Sequence, residues 1–326
     1  MPRAGTTLVD FPEFRQYEAT RQEANNAMMA LLAGSKLAAH TLQLTAGSSQ
    51  LLPDILPGVD HISYFNLRTD VATDLLLDTG HHLGAVAVPY ALAVHEDFIM
   101  TVLQTLTGLG YTQLAPGKSP NLSKNRITAW NMHEALFLTL GKSIPARGTN
   151  PISLELYHLL REMRNCQIHN GGSVTLAPNL QGQVRDISPA AEAEWKRLAK
   201  RDAAGVCRSA DLRFTTHDIF TVFAVTKSLG RSINEALRDG LAAAQWAAIC
   251  VTDYAAQSSK PPRSEPWLHS LLGHAAVSYG ACKLSREDVV AAAVETGYWP
   301  AGRLLLPRRL DRGARRARRP GTQRPA

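Results

Sequence analysis

The chain has 326 residues, 45% hydrophobic and 19% charged, which is enough apolar content to bury a core and excludes a chain disordered throughout. Its formal net charge of +7 belongs to one end: residues 303–326 carry nine Arg against Asp311 alone, a net of +8, and the remainder is close to neutral at −1. The longest apolar run, LGAVAVPYALAV at 83–94, has 12 residues with Pro89 inside it, short of the roughly 20 that a membrane span needs, so no membrane span is expected.

Four cysteines, Cys166, Cys207, Cys250 and Cys282, are widely spread with no CxxC, and the opening MPRAGTTLVDFPEF lacks the charged-then-apolar order of a signal peptide. A reduced, cytoplasmic protein is the expectation. In chain order, 11–44 has the period of a long helix started by Asp10 and Pro12, and GSSQLLPDILPG (47–58) ends it. A second helical region covers about 68–108, with Pro89 expected to kink or restart it because proline removes an internal hydrogen bond. The turn-rich segment 108–125 follows, then a short helix around Trp130 to Leu140, a break at Pro145 to Pro151, and the helix ending in LLREMRNCQIHNGG (159–172). After a polar stretch at 170–188, segments near 189–201 and 216–257 are helical again. Lys260-Pro261-Pro262 is the clearest linker, with two or three small helices beyond it. Strand signals are few, so the class is all-α.

Standard site motifs are absent. LGKS (140–143) and PGKS (116–119) lack the first glycine of a phosphate-binding loop, and GLG (108–110) lacks the third glycine of a dinucleotide fold. His81, His82, His95 and Glu96 have no ligand pair at metal spacing, and are read as histidines on a partly buried helix. No metal and no cofactor is implied.

The helix before Gly171 and Gly172 is different. At 100° per residue, Ile152, Leu156, Leu159, Leu160 and Met163 share one face, while His158, Arg161, Glu162, Asn165 and His169 share the other. That second face is rich in groups that bind phosphate or move protons. Asn165 and His169 are neighbours at i, i+4, and Arg164 lies at the border, about 140° from His169 on an ideal helix. The two converge on one ligand only if the helix loosens before His169 or a second chain completes the site. Asn170, Gly171 and Gly172 suit a helix stop.

The segment RNCQIHNGG (164–172) resembles the signature of the HEPN superfamily, compact helical domains with an Arg, often a polar residue after it, four to six intervening residues and a His. Arg164, Asn165 and His169 match those positions. Similar spacings at Arg126…His133 and Arg263…His269 lack the Asn, the amphipathic helix and the cap. The likeness in layout covers about 68–257. It implies a HEPN-type helical bundle at 61–259, leaving residues 1–60 as an N-terminal helical extension, 260–302 as a small helical C-terminal appendage and 303–326 as a disordered basic tail.

Many members of that superfamily are metal-independent endoribonucleases of toxin–antitoxin, abortive-infection and CRISPR systems, acting as dimers with both motifs facing one cleft. The resemblance therefore implies RNA as substrate, a homodimer, and an antitoxin or regulatory protein as a further partner. In attack by the RNA's own 2′-hydroxyl, His169 would serve as base or acid, Arg164 would stabilise the phosphorane-like transition state through its planar fork, and Asn165 would orient one or the other. Arg161 and His158 are the expected substrate-binding residues. Two other readings stand beside this one: a catalytically silent module of the same fold, and a helical regulatory protein whose Arg tail supplies affinity for phosphates.

Overall fold

The computed structural model describes residues 8–44, 50–112, 127–141 and 150–301; the Arg-rich tail lies outside them. Among these residues the regular structure is twelve α-helices and four short 3-10 turns, with two isolated β-bridges and no strand, so the protein is an all-α helical bundle. The helices are α1 (Pro12–Gln43), α2 (Leu52–Ile55), α3 (Thr69–Leu77), α4 (Thr79–Gly108), α5 (Met132–Thr139), α6 (Pro151–His169), α7 (Pro178–Arg185), α8 (Pro189–Ala199), α9 (Thr216–Gly240), α10 (Ala243–Gln257), α11 (Glu265–Ser278) and α12 (Arg286–Glu295).

Local chemistry explains most of the boundaries. Pro12, Pro151, Pro178 and Pro189 each open a helix, where the missing N–H would have had no partner and the fixed φ is already helical. The Asn150 side chain caps α6 by accepting from the Ile152 and Ser153 N–H groups, and Thr215 with Asp218 forms a reciprocal capping box on α9. Asp10 is not the cap of α1. That position is Phe11, and Asp10 instead donates its N–H to the Ser278 carbonyl (2.8 Å) while its own carbonyl accepts from Arg15 (2.7 Å). The second helical region breaks at Asp78 rather than at Pro89, which lies inside α4 without ending it. The polar stretch 170–188 contains a helix of its own, α7.

The core is built on α4 and α9, which pack against each other; α1 lies on both, and α6 packs on α4, α9, α7 and α8. Leu92, Ile99, Leu103, Val222, Leu229 and Ile233 are fully buried there, each stabilising the fold by roughly 1.5–3 kcal/mol. Buried apolar contact is continuous from Val9 to Trp299. It therefore runs across the sequence breaks near 60 and 260: Phe14 and Tyr17 of α1 enter the main core, and α12 packs on α10. Gly230 makes the approach of α1 to α9 possible, because a Cβ there would collide with the Tyr17 ring. Among the described residues α4 is the one helix long and apolar enough to cross a membrane, and half of its most apolar window is buried inside the protein.

Candidate functional site

The motif helix α6 remains α-helical through His169. The Cys166 carbonyl accepts from the N–H groups of both Asn170 (3.1 Å) and Gly172 (3.0 Å), and Gly171 and Gly172 take positive φ values of 59° and 86° that a side chain would resist. The helix does not loosen before His169, so Arg164 and His169 leave it in different directions. His169 is exposed, and among the described residues no hydrogen bond joins it to Arg164 or Asn165. Asn165 instead donates from Nδ2 to Glu162 Oε1 at 3.3 Å.

The polar face of α6 is mostly not a solvated face. Arg161 and Glu162 are buried and His158 is largely so; Trp130, just before α5, lies against His158 and Arg161, and Glu96 of α4 lies beside Arg161. Glu96 of α4 is the focus. Its Oε1 accepts from Arg164 Nη1 (3.2 Å) and from the Tyr157 hydroxyl (3.2 Å), and lies 4.0 Å from Arg161 Nε, too far for a hydrogen bond. Burial, with Glu96 beside it, pushes the Tyr157 hydroxyl pKa well up. Arg161 keeps Nε and Nη1 without hydrogen-bond partners. Its guanidinium lies 4.9 Å from the centre of the Trp130 ring, and the His158 ring lies 4.4 Å from the same indole. Burial lowers the Arg161 pKa, and lowers that of His158 to about 4 with Arg161 adding to the effect.

Behind this layer runs a hydrogen-bonded chain whose proton positions follow from its anchor. The Tyr17 hydroxyl donates to the Thr226 carbonyl (2.7 Å), so it must accept from His95 Nδ1 (3.0 Å). His95 Nε2 is then the acceptor, and His133 Nε2 donates to it at 3.0 Å. His133 Nδ1 is left as a buried acceptor with no partner. Burial holds His95 neutral, with its pKa down to about 3. His133 is also pushed well below the ordinary value, by burial first and then by the charges of His95, His158 and Arg161. Among the described residues no group of three or more His, Cys, Asp or Glu side chains is arranged to hold a metal ion.

No family model, curated protein or solved structure matches the chain. The site must therefore be judged on its own residues. The five residues named by the sequence pattern divide into two sets. Arg161, His158 and Arg164 converge with Glu96, Tyr157 and Trp130, whereas Asn165 bonds to Glu162 and His169 is exposed at the end of α6. Glu96, Trp130, His133 and Tyr157 escaped the periodicity argument. One signal was present for Glu96: it sits in His95-Glu96-Asp97, which interrupts the apolar residues that follow His81 and His82 in α4.

Proposed function

We propose that the protein is a metal-independent endoribonuclease of HEPN type, active as a homodimer in which α6 of each protomer supplies half of a shared site. The observation that carries this is the division of α6 into two reachable groups that one chain does not bring together: Arg164, partly exposed and bonded on one nitrogen, and His169, exposed on the last turn. An anion-binding fork and a proton carrier on one rigid helix, separated by about 140°, form a complete site when a two-fold axis brings in a second copy. Arg161 cannot line such a cleft directly, since it lies beneath Trp130. The exposed Ile168, next to His169, offers apolar contact across the axis. RNA would bind with a phosphate at Arg164 and its 2′-hydroxyl near His169, and the cleavage end group would be a 2′,3′-cyclic phosphate. The expected setting is a toxin or defence effector in the cytoplasm, held by an antitoxin or regulatory protein.

A second reading has a specific observation in its favour. Glu96 puts a carboxylate against Arg164 where a phosphate would sit, which fits a catalytically silent module that binds a partner. One experiment separates the two. Labelled RNA is incubated in EDTA with wild type, His169→Ala and Arg164→Ala, and the cleavage products are resolved. Loss of about 10²–10⁴-fold in rate is expected for His169→Ala, and an equimolar mixture of the two inactive chains should recover part of the activity. Cleavage that survives both changes, or that requires Mg²⁺, would end the proposal; no cleavage by wild type would leave the silent module.

A further inference from the structure

We infer that Trp130 is a stacking platform for a base of single-stranded RNA, backed by Arg161 and His158. This rests on the reading of RNA as the ligand of α6 and goes beyond it by naming where a base is held.

The chain has five tryptophans, and four of them, Trp195, Trp246, Trp267 and Trp299, are buried in the core. Trp130 alone is exposed, at 42% of its surface, just before α5. It is nonetheless held in place. His158 and Arg161 are three residues apart on α6, so they lie one turn from each other on the same side of the helix, and both reach the indole ring. Both lie against the ring, and 42% of the residue's surface nonetheless remains open. An aromatic ring held in place by its neighbours and still partly exposed is the form that accepts a flat π-face, and bases stack on such rings with little regard to sequence.

Arg161 supports the same conclusion from beneath. Arg161 has only 8% of its surface exposed, and a buried guanidinium is costly; this one has no hydrogen bond on Nε or Nη1 and, among the described residues, no carboxylate nearer than 4.0 Å. Its guanidinium lies over the Trp130 ring, an attraction strengthened by the dry surroundings. The cation also draws electron density toward itself through the ring, which favours stacking of an electron-rich base on the open face. The position fits a substrate chain: Arg161 and Arg164 are one turn apart, so a base on Trp130 lies near the phosphate site proposed at Arg164.

The buried state of the other tryptophans makes the test direct. A short 2′-O-methyl RNA strand, which cannot undergo attack by its own 2′-oxygen, is titrated into the full-length protein while tryptophan emission is followed, with the same sequence as a duplex in parallel. Binding of the single strand should quench emission, the duplex should not, and the quench should disappear in Trp130→Phe. By fluorescence polarisation of a labelled strand, Trp130→Ala should weaken binding by about 5- to 150-fold, whereas Trp130→Phe should keep most of the affinity. Circular dichroism melts of both variants separate loss of the platform from loss of the fold. Binding by wild type without quench, or unchanged affinity in a folded Trp130→Ala protein, would overturn the inference even if RNA is cleaved. Quench and affinity loss without RNA cleavage would uphold it and remove the ribonuclease. If wild type binds no single strand, both fail.

Discussion

Asp253 of α10 and Arg161 of α6 are both charged, and both have less than a tenth of their surface exposed, yet they are satisfied very differently. Asp253 Oδ1 accepts from Arg15 (2.7 Å) and Gln257 (3.4 Å), while Oδ2 accepts from His274 (3.0 Å) and the Tyr279 hydroxyl (2.9 Å). Burial raises the Asp253 pKa, but the bonds from His274, Arg15 and Tyr279 outweigh it and the net shift is downward. These contacts join α1, α10 and α11, so the carboxylate holds the two ends of the described chain together. Arg161 has a ring, a distant carboxylate and unbonded N–H groups. A buried charge with every lone pair engaged stabilises a fold, whereas a buried charge left short of partners costs stability and needs another reason to be there. On the reading proposed above, Asp253 serves the fold and Arg161 the ligand.

The largest effect expected from breaking that contrast is at Asp253. Asp253→Ala leaves the buried Tyr279 hydroxyl and the largely buried His274 ring without their acceptor, removes the Arg15 tie between α1 and α10, and should cost about 3 kcal/mol. For a chain of this size that corresponds to a fall in Tm of roughly 6–12 °C. RNA binding at α6 should be unaffected where the protein remains folded. A Tm within a degree of wild type would show that the network at Asp253 is no more structural than the one at Arg161.

Acid should separate the two regions next. The ordinary histidine pKa is 6.5, and burial lowers that of His95 to about 3 and that of His158 to about 4, so the folded state prefers these side chains neutral. Their contribution is fully present above about pH 6.5 and is lost as pH falls toward the folded values, at up to about 1.4 kcal/mol per pH unit for each group. Asp253 behaves differently: with its pKa held below 3.8, its contribution persists down to that value and is lost only below it. Between pH 6.5 and 4 the urea midpoint should therefore fall because of the histidines, and His95→Gln or His133→Gln should flatten the fall where Asp253→Asn does not. An equal slope in all of these would mean that the buried chain from Tyr17 to His133 is not what titrates.

Much of the frame was legible in the sequence because it depends on local rules. The period and proline that start α1, the amphipathic α6 and the glycines that stop it all follow from short-range chemistry, and each falls within a residue or two of its expected place. Pro89 misled because the carbonyl it leaves unbonded is one group in a 30-residue helix held by packing on α1, α5, α6 and α9. The site was legible only in part. Periodicity identifies which residues share a face of α6, but not that Glu96, 65 positions before Arg161, and Trp130, 31 before it, come to lie on the polar face. Those partners are set by tertiary packing, which a pattern along one helix does not contain. The same limit applies to His133, whose importance appears only when the Tyr17 hydroxyl fixes the proton on His95.

The smallest effect on stability, and the sharpest test of the contrast, is expected from Arg161→Met. Methionine keeps the length and most of the apolar stem, removes the charge and its unbonded N–H groups, and can still rest against the Trp130 ring through its sulfur. Removing a poorly paired buried charge in favour of an apolar side chain of similar size is often neutral or stabilising. The Tm should thus stay level or rise, by an amount equivalent to about 1 kcal/mol at most. Glu96 retains Arg164 and Tyr157, so no acceptor is orphaned by the change. Function should move the other way: without the cation behind the ring, the affinity for a single strand should fall by about 2- to 30-fold, the range of a cation–π contribution from an exposed to a desolvated site. A variant that is both less stable and unchanged in binding would reverse the comparison, making Arg161 a structural residue satisfied by Glu96 across 4.0 Å after all.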